Sequence, residues 1–172
     1  MSGAGNLTWV AASSANHYTS SRMVFRGDGS DYTGTITLDR DANHERSHQI
    51  YMEIAENDAV KGATFMLDGS GARGVASLGI NTANATMQGL KGNDYAHLFA
   101  GTVPVGGNNA DAPLKTAPAS TANNTLTIAG AGEYTYAGTV GKEGESAHLS
   151  LAMTGTGSQT FSGVAHVGDV SV

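Results

Sequence analysis

Residues 126–140 read LTIAGAGEYTYAGTV, and residues 149–164 read LSLAMTGTGSQTFSGV. Each opens on an alternating triplet, Leu126-Thr127-Ile128 and Leu149-Ser150-Leu151. Alternation of period two gives a β-strand one apolar face. A Gly-containing break follows, then an aromatic residue, a small residue and Gly: Tyr136-Ala137-Gly138 and Phe161-Ser162-Gly163. The order recurs upstream. Residues 23–36, MVFRGDGSDYTGTI, close on Tyr32-Thr33-Gly34, and residues 85–103, ATMQGLKGNDYAHLFAGTV, close on Phe99-Ala100-Gly101. A partial copy, FMLDGSGARGVASLGI, occupies 65–80.

The Gly breaks begin at Gly27, Gly69, Gly89, Gly130 and Gly155. Units of roughly 20–25 residues cannot bury a core alone and do so by stacking on their neighbours. The expected fold is therefore all-β: a Gly-rich parallel β-helix, or solenoid, in which Leu126, Ile128, Leu149 and Leu151 point inward. The alternative is a β-sandwich, which would pair these strands as antiparallel hairpins. Gly34, Gly138 and Gly163 are expected at corners, at least one of them with positive φ.

Composition agrees with this reading. The 172 residues suit a single domain, 1–172. There are 24 Gly, and charged residues make up 14% against about 25% in ordinary globular domains. All three Pro fall in 104–124, PVGGNNADAPLKTAPASTANN, which reads as an exposed loop. Residues 39–62 hold 9 of the 24 charged residues and read as a solvated, charged excursion. The net charge of −6 and the scattered Lys and Arg give no basic stripe for nucleic acid. No apolar run is long enough for a membrane helix, so no membrane segment is expected. Without Cys there is no disulfide or thiol chemistry.

The strings LTIAGAGEYTYAGTVG and LSLAMTGTGSQTFSGV resemble the autotransporter-associated β-strand repeats of bacterial surface proteins. The resemblance is clearest over 126–167 and extends to 23–38. It implies a passenger-type right-handed parallel β-helix and an extracellular or cell-surface location. The repeat set, with no intact catalytic motif beside it, leads to the expectation of a binding or display role toward a host or matrix glycoprotein or polysaccharide. The recurring Tyr32, Tyr95, Tyr134 and Tyr136 are candidates for an aromatic platform under sugar rings; otherwise they stack between units. Trp9 reads as part of an N-terminal cap.

Two patterns point instead to catalysis. His44-Glu45-Arg46-Ser47-His48 matches H-E-x-x-H, in which a helix brings both His to one zinc and Glu45 acts as base. A strand would hold the two His roughly 13 Å apart, too far for one ion. Residues 44–58 suit either conformation, since Ile50, Met52 and Ile54 alternate while Ile50, Tyr51, Ile54 and Ala55 also make a helical stripe. Arg46 and the polar lead-in are foreign to the buried helix of zinc proteases. The second pattern is Asp28-Gly29-Ser30 with Asp68-Gly69-Ser70, two related sites that could furnish an aspartic dyad. FMLDGSGA resembles the aspartic-protease motif, with Gly69 standing where that family places Ser or Thr. Asp-Gly-Ser is also ordinary turn chemistry. A secreted protease acting on mucin-like glycoproteins, aspartic-type or zinc-type, is thus the alternative to a non-enzymatic binding segment. No cofactor is expected, zinc entering only under that alternative.

The expectation for His44, Glu45 and His48 is that they hold no zinc. Protein prepared without a His-tag should carry no metal, and chelator should leave its melting unchanged. One equivalent of zinc, lost in His48→Ala, would reverse this reading.

Overall fold

The computed structural model describes residues 1–11, 21–40, 50–70, 75–101, 123–141 and 149–172. Among them the chain is all-β. The strands are β1 (Leu7–Ala11), β2 (Ser21–Phe25), β3 (Thr35–Arg40), β4 (Ile50–Ile54), β5 (Thr64–Asp68), β6 (Ala76–Ile80), β7 (Asn84–Met87) and β8 (Gly89–Gly92). Then come β9 (Ala96–Ala100), β10 (Asn124–Ile128), β11 (Glu133–Tyr136), β12 (Thr139–Val140), β13 (Leu149–Met153), β14 (Ser158–Phe161) and β15 (Val167–Ser171). No helix among the described residues is long and apolar enough to cross a membrane.

The strands form three parallel sheets: β1-β3-β5-β8-β11-β14, β12-β9-β6-β4-β2 and β15-β13-β10-β7. Successive strands visit the sheets in turn. From β5 to β14 the chain passes from the six-stranded sheet to the five-stranded, then the four-stranded, then back; between β14 and β15 the five-stranded sheet is touched only by the isolated bridge of Ala165 to Val140. Ladders are parallel throughout the described residues. The arrangement is compatible with a β-helix, and the antiparallel hairpins of a sandwich are not among these ladders.

Register follows the apolar alternation. Ile36, Phe65 and Leu90 line up across the six-stranded sheet, and Met52, Leu78 and Leu98 across the five-stranded. All six are fully buried, each contributing about 1.5–3 kcal/mol relative to exposure. Leu126, Ile128, Leu149 and Leu151 are buried as expected. Phe25 meets Phe65 edge to face at 5.7 Å, and Tyr136 meets Phe161 of the neighbouring strand at 6.0 Å.

Three expectations change. First, the copies are out of step. Leu126–Ile128 and Leu149–Leu151 share the four-stranded sheet, but the strand of 23–36 lies in the five-stranded sheet and that of 65–80 begins in the six-stranded sheet. Alternation followed by Gly is the requirement of any corner, so the motif recurs by corner and not strictly by layer. Second, residues 50–54 of the charged segment form β4, a strand between β2 and β6, with Tyr51, Met52, Glu53 and Ile54 all buried; Ala59 and Val60 are buried as well. The described part of 39–62 is thus largely interior. The strand form wins at 50–54 because both neighbours pair with it residue for residue.

Third, Gly34, Gly138 and Gly163 have no positive φ; that conformation belongs to Gly3, Gly27, Gly101 and Gly141. Their reason is proximity. A Cβ on Gly138 would stand 2.2 Å from the Ala96 carbonyl oxygen, and one on Gly34 2.1 Å from that of Gly5. Gly138→Val should therefore destabilise by about 1–3 kcal/mol through overpacking, lowering the melting temperature by roughly 2–4 °C per kcal/mol. Melting equal to the parent would contradict the close-approach account.

Candidate functional site

The groups proposed for catalysis lie on different parts of the chain. His44, Glu45 and His48 lie outside the described residues. Among the described residues no group of three or more His, Asp or Glu is placed to hold a metal. Asp28 sits in the exposed corner after β2, whereas Asp68 ends β5 on the six-stranded sheet. The Asp28 Oδ1 accepts from the Ser30 amide at 2.9 Å. The Asp68 Oδ1 accepts from Asn93 Nδ2 at 2.5 Å. Hydrogen bonds from Ser30, side chain first and then backbone, hold the Asp28 carboxyl below its ordinary pKa. A dyad sharing one proton requires the opposite, a carboxyl raised by its neighbour.

The four tyrosines divide. Tyr32 and Tyr136 are buried. Their hydroxyls donate to the carbonyls of Thr35 and Thr139, at 3.2 and 3.1 Å, closing matching corners three residues ahead. Burial pushes the Tyr136 phenol well above its ordinary pKa, which keeps the donor proton in place. Neither ring is available as a platform. Tyr95 is 46% exposed at the corner between β8 and β9. Tyr134 lines a groove of about 500 Å³ with Ser30, Thr33, Lys61, Gly62, Thr64 and Gln88.

Three corners, stacked one above another, make this groove. Ser30 and Thr33 precede β3; Lys61 and Gly62 precede β5, whose first residue is Thr64; Gln88 precedes β8. Tyr134 enters from β11. The ladder between β8 and β11 is reduced to the pair Gly92 and Tyr136. Upstream of it the backbone of Leu90 bonds elsewhere. Its N–H donates to Gln159 Oε1 at 3.0 Å, and its carbonyl accepts from Gln159 Nε2 at 2.8 Å. The Gln159 amide from β14 thus replaces a strand partner. The Tyr134 ring lies on Gly89, where a Cβ would be 2.5 Å from the ring. Lys91 Nζ stands 5.8 Å from the ring centroid, within cation–π range. Gln88 Nε2 donates to the Lys61 carbonyl at 3.0 Å, and Lys61 Nζ is 3.7 Å from Asp58. The groove therefore offers an aromatic face, three hydroxyls, an amide and an ammonium. It contains no nucleophile–base pair.

A second group was missed in the sequence. On the five-stranded sheet Tyr51, Glu53, Ser77, His97 and Phe99 alternate with the core residues, yet all are buried. Glu53 accepts from Arg22 at 3.3 Å and from Asn81 at 2.8 Å. His97 Nε2 lies 2.9 Å from the Gly141 carbonyl oxygen, and Ser77 is its register partner. The signal was legible in ASLGI and AHLFA, whose alternate positions hold Ser77, Gly79, His97 and Phe99 and no Asp, Glu, Lys or Arg, and which so read as strands covered on both faces.

With this geometry in view, comparison with known proteins found no match among family models, curated proteins or solved structures.

Because the folded pKa of Asp28 is depressed, its contribution to stability is complete above the unfolded pKa and is lost as pH falls through the folded value. Ser30→Ala should move the Asp28 titration upward, toward the ordinary carboxylate range, in an NMR pH series. An unmoved midpoint would assign the shift to another cause.

Proposed function

We propose that this chain is a β-helical segment of a secreted or cell-surface protein and binds the glycan chains of a host or matrix glycoprotein or polysaccharide along the Tyr134 groove. The order of strands over three parallel sheets supports the solenoid reading. The likeness of residues 126–167 to autotransporter-associated repeats supports the surface location. The observation that carries the binding role is the Tyr134 ring beside a line of polar groups from successive corners. Sugar rings present C–H faces that pack on an aromatic face and hydroxyls that exchange hydrogen bonds with Thr, Ser and Gln. Successive corners repeat at roughly the 4.8 Å strand spacing, so the groove runs across the strands and suits an extended polymer. Binding without catalysis is the reading that fits the residues lining it.

Glycan-array screening followed by calorimetry on the best ligand tests the proposal. Tyr134→Ala should weaken binding at least tenfold, about 1.4 kcal/mol, with melting near that of the parent because the ring is only partly buried. Tyr95→Ala should bind like the parent. Equal affinity in Tyr134→Ala and the parent would defeat this site assignment.

A further inference from the structure

The Tyr134 groove differs in charge from the rest of the chain. The chain carries 15 Asp and Glu against 9 Lys and Arg, yet among the described residues no carboxylate lines the groove, whereas Lys61 does. The other lysine of the described residues, Lys91, holds its Nζ 5.8 Å from the centroid of the Tyr134 ring. Both lysines are exposed. They stand on opposite sides of the ring. Thr64 and Gly89 are register partners on β5 and β8. Lys61 precedes Thr64 on the corner side, and Lys91 follows Gly89 on the sheet side, about 6.6 Å further along the strand. The Tyr134 ring rests on Gly89 between them.

Neither ammonium is held by a strong counter-charge. Lys61 Nζ is 3.7 Å from Asp58 Oδ1, but the two side chains are 55% and 59% exposed, so water and salt screen the pair. The ring face attracts the Lys91 ammonium and offers no carboxylate to neutralise it. Asp31 and Glu133, chain neighbours of Ser30 and Tyr134, are exposed and do not line the groove.

We infer that the polymer bound in this groove is an acidic glycan, whose sugar rings carry carboxylate or sulfate groups. The inference rests on the groove reading above and adds the charge of the ligand. With a sugar ring on Tyr134, its anionic substituents reach Lys61 on one side and Lys91 on the other. The resulting hydrogen bonds are charge-assisted and stronger than those to a neutral hydroxyl. Thr33, Thr64 and Gln88 remain for the sugar hydroxyls. The net charge of −6 opposes polyanions at long range, so the attraction is confined to the groove.

Calorimetry with matched polymers tests the inference: polygalacturonate against its methyl ester, and dextran sulfate against dextran. At least one acidic form should bind about tenfold more tightly than its neutral counterpart. The pair that shows the difference separates carboxylate from sulfate. Lys61→Gln combined with Lys91→Gln should erase the difference, and the corresponding double Arg variant should restore it. Asp58→Asn should tighten the acidic form, because it removes the competing carboxylate. All these positions are exposed, so melting should stay near that of the parent. Acidic forms that bind no better than neutral ones would overturn the inference. So would full affinity in the double Gln variant, or single-stranded DNA binding as tightly as the best polysaccharide. If neutral glycans alone bind and depend on Tyr134, the groove assignment stands and the charge preference falls. If acidic binding needs both lysines and Tyr134→Ala leaves it unchanged, the charge preference stands and the ring platform falls.

Discussion

Successive layers of this protein meet backbone to backbone at their corners, and the rest of the structure depends on that contact. A Cβ on Gly34, Gly130, Gly155 or Gly157 would stand 2.1 Å from a carbonyl oxygen of a neighbouring layer. Only hydrogen fits there. The close approach lets hydrogen bonding continue round the bends. Thr64 N–H donates to Gly34 O at 3.1 Å, Gln88 N–H to Ala63 O at 2.8 Å and Ser158 N–H to Gly132 O at 2.9 Å. Corners held at ladder spacing keep three sheets in register, and register places apolar residues of one layer over those of the next. Gly at these positions thus serves contact between layers more than conformational freedom.

The same stacking explains where the candidate site lies. Side chains that project from equivalent corners form a continuous line, so a groove needs no dedicated loop. What distinguishes the line containing Ser30, Thr33, Lys61, Thr64 and Gln88 is an interruption. Where β11 leaves the β8 ladder, Gln159 satisfies the Leu90 backbone and the Tyr134 ring settles over Gly89. The proposed groove lies where the pairing of β8 with β11 gives way to a side chain. Tyr32 and Tyr136 show the contrary case: where the corner is regular, the ring goes inside and its hydroxyl closes the turn.

The sequence by itself determined the β class, the inward residues Leu126, Ile128, Leu149 and Leu151, and the Gly corners, because alternation and backbone sterics are local properties written residue by residue. Parallel pairing was expected from the spacing of the breaks, a weaker and less direct signal. Only the tertiary structure decided the rest. Which copy sits on which sheet depends on the number of strands between corners, and local motifs do not count them. That β4 is interior depends on what covers its second face, so its charged surroundings misled. Whether a tyrosine is core or platform is invisible in Tyr-x-Gly and in Glu133-Tyr134-Thr135-Tyr136 alike. It turns on Gln159 and Gly89, residues distant in the chain that reach the same place only when the layers are stacked.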